Sequence, residues 1–200
     1  MEKLTFKLKG SRDYIQGPDV YNEIEKILNK KKITYFELSF HNIMKNNIIL
    51  SDKKPNKEQD LYFLCRYIEN DNTKELYGIK DESSKPNESI IYEEELITQN
   101  AIFNEKDESI ILNSPSKFTL MEEIVALNKY LVQQTIQKQK KGKWYFAKFI
   151  HSNLLPERSY PLEIRLKTNF NFLLSKSEII LYKEGVATGG GIVFFGSKKE

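Results

Sequence analysis

Two adjacent glutamates in the stretch Thr119-Leu-Met-Glu-Glu-Ile124 are the first candidates for chemistry. A threonine followed three residues later by a glutamate is the pattern of a capping box, and Glu122 fits that role at the start of a helix. Glu123 stands beside an apolar stripe, where partial desolvation would make a carboxylate a stronger base near neutral pH. The other interpretation of Glu123 is a solvated glutamate that complements the positive end of the helix dipole.

A second group of candidates lies in Gln16-Gly-Pro-Asp19. Pro18 suits the first position of a helix, and N–H groups at a helix start can hold an anion or a carbonyl oxygen. Gly17 and Asp19 are therefore candidates for binding and stabilising a substrate carbonyl. The simpler interpretation of Asp19 is an acid that complements the helix dipole. On the second helix, Asn128 either orients a water molecule or makes a surface or interhelical hydrogen bond.

The two histidines, His41 and His151, end equivalent predicted strands. Two possible ligands without nearby cysteines make a poor metal site, so we predict no metal, no cofactor and a structural role for both histidines. Cys65 lies in an alternating apolar run and is predicted to be a core thiol. A chain with one cysteine forms no intramolecular disulfide, which fits a reducing compartment.

Three consecutive glycines in Thr188-Gly-Gly-Gly191 predict an unusual backbone geometry. The stretch lacks the lysine and the following helix of a phosphate-binding loop, and it leads into the apolar run Ile-Val-Phe-Phe. Glycines in a strand mark a β-bulge or a place where another backbone or a ligand comes close.

The sequence predicts two helices, each followed by several strands, and these elements position the candidate residues. Apolar residues at helical spacing predict a long helix that begins at Thr119, and a shorter helix is predicted at 18–29. Alternating runs after each helix predict antiparallel strands. After the first helix the predicted strands are Ile33–His41, Asn47–Ser51, Asp60–Glu69 and Glu75–Lys80, with short ones at Ile90–Ile97 and Ile110–Leu112; after the second they are Trp144–His151, Pro161–Phe172, Lys176–Lys183 and Val186–Phe195.

The chain contains a weak internal repeat. Tyr35-Phe36 and His41 recur as Tyr145-Phe146 and His151, each offset by 110 residues. Both copies follow a helix and a lysine-rich exit, and both precede a meander of strands. We therefore predict two units, 1–85 and 90–200, on either side of a polar connection.

A helix followed by an antiparallel meander long enough to wrap it resembles the hotdog superfamily of thioesterases and thioester dehydratases. The resemblance covers nearly the whole chain if both halves count. It implies an α+β double hotdog, with two long helices that are each wrapped by an antiparallel sheet. Proteins of this superfamily bind acyl-CoA or acyl-carrier-protein thioesters in a tunnel where two hotdogs meet.

The resemblance also implies roles for particular residues. In the dehydratases, a histidine in the loop before one helix works with an acidic residue on the partner's helix. Glu123 falls near that acidic position, but the loops at 13–17 and 113–117 contain no histidine. A thioesterase is therefore implied, in which Glu123 is the base and Asp19 or a nearby helix-start N–H stabilises the carbonyl.

Further contacts with the substrate follow from the same resemblance. Gly190 would leave room for a pantetheine arm, and Lys140 and Lys141 would meet the phosphates of coenzyme A or the acidic face of a carrier protein. The simpler interpretation of the two lysines is a solvated helix C-terminus. Two alternatives remain. One is a non-catalytic binding or scaffolding protein that kept the hotdog shape, and the other is a dehydratase-like enzyme with a displaced acid or base.

The composition excludes several classes of protein. The chain has 200 residues, of which 40% are hydrophobic, and a net charge of +3. This is enough apolar material for a core, and the mild charge does not favour nucleic-acid binding. No apolar run approaches the roughly 20 residues of a membrane span, and Met1–Gly10 has no signal-peptide core. We expect a cytoplasmic monomer or homodimer whose partner is acyl-CoA or an acyl carrier protein.

Overall fold

The chain forms two compact units. The computed structural model describes residues 2–137, 143–153, 158–171 and 173–198. Unit 1 contains the described residues of Met1–Glu93 and Ser152–Leu154, and unit 2 contains those of Glu94–His151 and Leu155–Glu200. None of the helices in the described ranges combines the length and the apolar character that a membrane crossing requires.

Unit 1 consists of a five-stranded antiparallel sheet, one α-helix, a 3-10 turn at Glu58–Asp60 and a small parallel pair of strands. In chain order the elements are β1 (Glu2–Leu4), β2 (Leu8–Lys9), α1 (Gly17–Leu28), β3 (Ile33–Phe40), β4 (Ile48–Ser51), β5 (Leu61–Glu69), β6 (Asn72–Lys80) and β7 (Ser89–Ile90). The sheet has the order β1-β4-β6-β5-β3, and β2 pairs with β7. Asn70 and Asp71 join β5 to β6 in a hairpin turn, with φ angles of 49° and 62°.

Helix α1 begins where the sequence predicts it. Pro18 stands in its first turn and Asp19 complements the dipole there. Its buried face packs against β3, where Tyr21 makes an edge contact with Phe36 at 5.6 Å between ring centroids. The buried face consists of Pro18, Val20, Tyr21, Ile24 and Leu28.

Unit 2 has a six-stranded antiparallel sheet around a longer helical segment. Its elements are α2 (Glu95–Thr98), β8 (Ala101–Asn104), β9 (Ser109–Leu112), α3 (Leu120–Val132), β10 (Lys143–His151), β11 (Leu162–Phe170), β12 (Leu174–Lys183) and β13 (Val186–Lys198). The sheet has the order β10-β13-β12-β11-β9-β8. Helix α3 continues as a π-helical turn over Gln133–Gln137.

Helix α3 is the centre of the core of unit 2. Every residue from Leu120 to Asn128 is buried, and the helix packs against β9, β11 and β12. A helix that is apolar on most of its surface is expected to be enclosed. The apolar side chains with no exposed surface in this core are Ile97, Ile110, Ile124, Leu127, Leu131, Val132, Phe149, Leu162, Ile164, Ile179, Leu181 and Val193.

The predicted strand Ile90–Ile97 is wrong. Strand β7 ends at Ile90, and helix α2 begins at Glu95. Glu93, Glu94 and Glu95 explain the difference, because consecutive glutamates are unfavourable in a strand and favourable at the positive end of a helix dipole. Strand β8, which pairs with β9, has no counterpart in the sequence prediction.

Candidate active site

The start of α3 has the capping geometry that its sequence predicts. The Thr119 hydroxyl accepts a hydrogen bond from the Glu122 N–H at 3.3 Å, and the Glu122 carboxylate accepts one from the Thr119 N–H at 2.7 Å. The capping box is therefore confirmed. It fixes the first turn of α3 and, with it, the direction of the next side chain, Glu123.

Glu123 is a buried carboxylate held from two sides. It has no exposed surface, so the interpretation as a solvated first-turn glutamate is wrong. Its Oε1 accepts hydrogen bonds from the N–H and from the hydroxyl of Ser116, both at 2.7 Å. Its Oε2 accepts a hydrogen bond from the hydroxyl of Tyr160. These partners come from the loop before α3 and from the segment before β11.

Tyr160 remains a proton donor in this arrangement. Burial raises the pKa of the Tyr160 phenol, and the neighbouring Glu123 carboxylate raises it further. The phenol is therefore protonated at neutral pH and donates to Glu123. Arg158, which donates to the carbonyl of Ser116 at 3.2 Å, lowers the pKa of Tyr160 by a smaller amount.

The geometry leaves Glu123 with a capacity to accept one more proton or hydrogen bond. An ionised carboxylate offers about four acceptor sites. Ser116 fills two at Oε1, and Tyr160 fills one at Oε2. Among the described residues, no other hydrogen bond to Glu123 is formed, so the remaining site is on Oε2. A water molecule at that position would meet a base whose orientation is fixed.

Asn128 lies further along α3, five residues after Glu123, and is also fully buried. Neither its amide nitrogen nor its amide oxygen has a hydrogen-bond partner in the described part of the chain. The interpretation as a surface residue is therefore wrong, and an interhelical hydrogen bond is not formed within the described residues. Because a buried amide is costly to leave unpaired, Asn128 stays a candidate for contact with a ligand.

The other predicted helix start lies in unit 1. Gly17 is the first residue of α1, and the Asp19 N–H donates to the carbonyl of Gln16 at 3.1 Å. The Asp19 carboxylate forms an ion pair with Lys9, and both side chains are largely buried. The Lys9 ammonium also lies 4.9 Å from the centre of the Tyr92 ring. Asp19 therefore has a defined electrostatic partner within its own unit.

The glycine-rich stretch forms a β-bulge. The register between β12 and β13 shifts at Gly190, where Ile179 pairs with Gly191 and Ile180 with Gly189. A Cβ on Gly190 would lie 2.6 Å from the Ile179 side chain. Close strand packing thus accounts for Gly190, and its predicted contact with pantetheine stays a prediction. Lys140 and Lys141 lie outside the described residues.

The two histidines belong to different units. His151 is buried at the end of β10, with Nε2 3.3 Å from the carbonyl oxygen of Gly189 and its ring stacked on Phe149. His41 lines an open cleft of about 600 Å³ in unit 1. Among the described residues, no group of three or more His, Cys, Asp or Glu side chains is placed to hold a metal ion.

Cys65 is a fully buried free thiol on β5. Burial is the main reason why the pKa of the thiol is raised, and the charge of Glu37 adds to the shift. The thiol is therefore protonated at neutral pH, which fits the predicted core position.

Sequence reasoning missed Ser116, Tyr160, Ser175 and Ser177. No spacing rule links Ser116 or Tyr160 to Glu123, because the three come together only through the packing of α3 on the sheet. The positions of Ser175 and Ser177, in contrast, could have been predicted from the sequence pattern. Ser175, Ser177, Ile179 and Leu181 alternate along β12, so the apolar members place the serines on the same buried face.

Unit 2 is an α+β arrangement in which a central helix lies against the antiparallel strands that follow it. This is the order of elements on which the predicted resemblance to the hotdog superfamily rests.

No protein-family model matches the chain, and the comparison with curated proteins gives no match either. Solved structures that resemble the chain include a tesB protein from Mycobacterium avium subspecies paratuberculosis. Its TM-score is 0.47 and its identity is 8%, over 96% of this chain and 89% of that one. A putative thioesterase II from Thermobifida fusca has a TM-score of 0.45 and 9% identity, over 99% of this chain and 96% of that one. A hot dog fold protein of unknown function from Alicyclobacillus acidocaldarius has a TM-score of 0.46 and 11% identity, over 94% and 89%.

Proposed function

We propose that the protein is an acyl-thioester hydrolase of the hotdog type, acting on acyl groups carried by coenzyme A or by an acyl carrier protein. The observation that carries this proposal is Glu123, a carboxylate with no exposed surface that three hydrogen bonds hold in a fixed orientation. A fixed carboxylate with one remaining acceptor site is suited to activating water. We also propose that unit 1 is a second hotdog, so that the chain is a double hotdog with two central helices.

The reaction assigns one role to each group around Glu123. Oε2 takes a proton from water as the water oxygen forms a bond to the thioester carbon. Collapse of the tetrahedral intermediate breaks the carbon–sulfur bond, and Glu123 returns the proton to the departing thiolate. Ser116 and Tyr160 do not touch the substrate in this scheme. They are positioning residues that keep Glu123 in one orientation.

The remaining predicted residues have supporting roles in the proposal. Asn128 binds the substrate through its buried amide, and Gly190 leaves room near the pantetheine arm. Gly17 and the start of α1 bind a carbonyl oxygen, with Asp19 held in place by Lys9. Lys140 and Lys141 attract the anionic carrier through their charge.

The decisive test is replacement of Glu123 by Gln, which keeps the size of the side chain and removes its ability to act as a base. We expect Glu123→Gln to lower the rate of hydrolysis by at least about 100-fold, the typical contribution of a general base. Release of free thiol from a panel of acyl-CoAs and acyl-carrier proteins measures the rate.

The matched control is Glu122→Gln, one residue away. It changes the capping box of the same helix without removing the proposed base. We expect near-normal hydrolysis in this control. Equal hydrolysis by Glu123→Gln and the unchanged protein would show that Glu123 is not the base.

A second function, binding without catalysis, is favoured by one specific observation. All three hydrogen bonds to Glu123 come from the chain itself, so the carboxylate also has a complete structural role in joining α3 to two neighbouring segments. A non-catalytic protein would bind the acyl carriers and release no thiol from any of them. Native mass spectrometry of protein purified from its source would then identify the retained ligand.

A further inference from the structure

Three polar side chains lie unpaired in the core of unit 2. Asn128, Ser175 and Ser177 have no exposed surface. In the described part of the chain, the amide nitrogen and oxygen of Asn128 and the hydroxyls of both serines have no hydrogen-bond partner. Buried polar groups in native proteins are nearly always paired, so three exceptions in one unit call for an explanation.

The three side chains belong to elements that pack on one another. Residues 175, 177, 179 and 181 form the buried face of β12, while the residues between them are partly exposed. Helix α3, which carries Asn128, packs against β12 as well as β9 and β11. The buried face of β12 is therefore polar at its first two positions and apolar at Ile179 and Leu181.

Polar side chains at positions 128, 175 and 177 do not stabilise a hotdog core. Leu or Ala at the same positions would bury apolar surface and avoid the cost of an unpaired amide or hydroxyl. From this argument we expect the three residues to lower the free energy of unfolding, as polar groups at a binding site do before the ligand is bound. A saturated alkyl chain could not pair with them, because it has neither donor nor acceptor.

We propose that Asn128, Ser175 and Ser177 form a subsite for an oxygen function on the acyl chain, so that the substrates are hydroxyacyl or ketoacyl thioesters rather than saturated ones. This inference rests on the proposed function. The Asn128 amide offers both a donor and an acceptor, and each serine hydroxyl can act as either. Asn128 lies about 7.5 Å along the helix axis from Glu123, since five residues rise about 1.5 Å each. The oxygen therefore lies several bonds beyond the thioester carbon.

Isothermal titration with S-alkyl pantetheine thioethers tests the subsite, because these probes cannot be hydrolysed and contain only the part common to both carriers. The set has one unsubstituted ten-carbon chain and three that carry a hydroxyl at the third, fifth or seventh carbon. We expect at least one hydroxylated probe to bind the unchanged protein about tenfold more tightly than the unsubstituted probe, as one well-paired buried hydrogen bond would give.

Two variants test the assignment to these residues. In Asn128→Leu and in the double variant Ser175→Ala with Ser177→Ala, we expect the preference for the hydroxylated probe to fall to near unity and the melting temperature to rise. Ser114→Ala, which removes an exposed hydroxyl of the same unit, should change neither quantity. Replacing residues that only support the fold is not expected both to raise the melting temperature and to abolish the preference for the hydroxylated probe.

The outcomes separate the subsite from the proposed function. If the unsubstituted probe binds as tightly as every hydroxylated one, the subsite is wrong and acyl-thioester binding stands. If the preference survives in both variants, these residues do not form the subsite. If both variants melt at a lower temperature and discrimination is unchanged, the three side chains stabilise the fold through internal water. If no probe binds at all, the proposed function itself is wrong.

Discussion

At the scale of single residues, Glu123 is defined by partners that come from other parts of unit 2. Its place in the first turn of α3 was predictable, because the Thr119–Glu122 capping box fixes where the helix begins. Its complete burial and its bonds to Ser116 and Tyr160 were not predictable. Those bonds depend on tertiary packing, which brings together residues 37 positions apart in the case of Tyr160.

Replacing Tyr160 by Phe should reveal how much the phenol supports Glu123. Loss of a hydrogen bond to a carboxylate is expected to lower the free energy of unfolding by about 1–2 kcal/mol at pH 8. The pKa of Tyr160 is raised above its ordinary value of 10.0, mainly by burial. Above pH 10 the phenol therefore ionises in the unfolded chain before it does so in the folded one. The stability advantage of the unchanged protein over Tyr160→Phe should be fully present below pH 10 and decrease as the pH rises further.

Urea unfolding at pH 8 and at several values above pH 10 measures this difference. Tyr130→Phe is the control, because Tyr130 lies on the same helix as Glu123 and its ring packs against Phe103 of β8. Tyr130→Phe should leave the free energy of unfolding nearly unchanged. A difference between Tyr160→Phe and the unchanged protein that grows above pH 10 would contradict the assigned role.

At the scale of elements, the spacing of apolar residues predicts most helices and strands. It gives a wrong prediction where charged residues or tertiary packing decide the local structure. Strands β10 to β13 lie within a few residues of their predicted bounds, because strict alternation and turn residues mark them. The segment that contains α2 is predicted as a strand, because isoleucines at 90, 91 and 97 flank the three glutamates and resemble a short apolar run. The bulge at Gly190 was one of the predicted alternatives.

The bulge gives a prediction at this scale. Gly191 has a φ of +102°, and a Cβ there would lie 2.4 Å from the carbonyl oxygen of Ile150. We expect Gly191→Ala to lower the free energy of unfolding by about 2 kcal/mol or more, because both the backbone conformation and the contact with β10 are unfavourable for alanine. Equilibrium urea unfolding is the measurement.

Gly189 provides the matched control two residues earlier in the same strand. A Cβ on Gly189 would meet nothing within 4 Å. Gly189→Ala should therefore leave stability unchanged or raise it slightly. If the two alanine variants unfold at the same urea concentration, the close approach of β10 and β13 is not what requires Gly191.

At the scale of the whole molecule, charge is distributed unevenly along the sequence. Residues 71–108 contain 11 acidic residues and 4 lysines, whereas the complete chain has a net charge of +3. Two lysine clusters follow the predicted helices, at 30–32 and at 138–143. In the first cluster Lys31 lies 3.5 Å from the Glu69 carboxylate and 5.5 Å from the centre of the Tyr67 ring, so part of that charge is used within unit 1.

The second cluster gives the prediction that concerns the partner. Coenzyme A and carrier proteins are both anionic, and a group of cations accelerates the encounter with an anion in a way that salt screens. The Debye length falls from about 10 Å at 0.1 M salt to about 3 Å at 1 M. Replacing Lys138, Lys140, Lys141 and Lys143 by Gln should therefore slow association several-fold at low salt and have little effect at high salt, with the dissociation rate nearly unchanged.

Stopped-flow association at the two salt concentrations measures both rates, and urea unfolding checks that the variant is folded. Equal association rates for the variant and the unchanged protein at low salt would mean that these lysines take no part in capturing the carrier. A faster dissociation of the variant at both salt concentrations would indicate that the lysines contact the carrier directly in the bound complex.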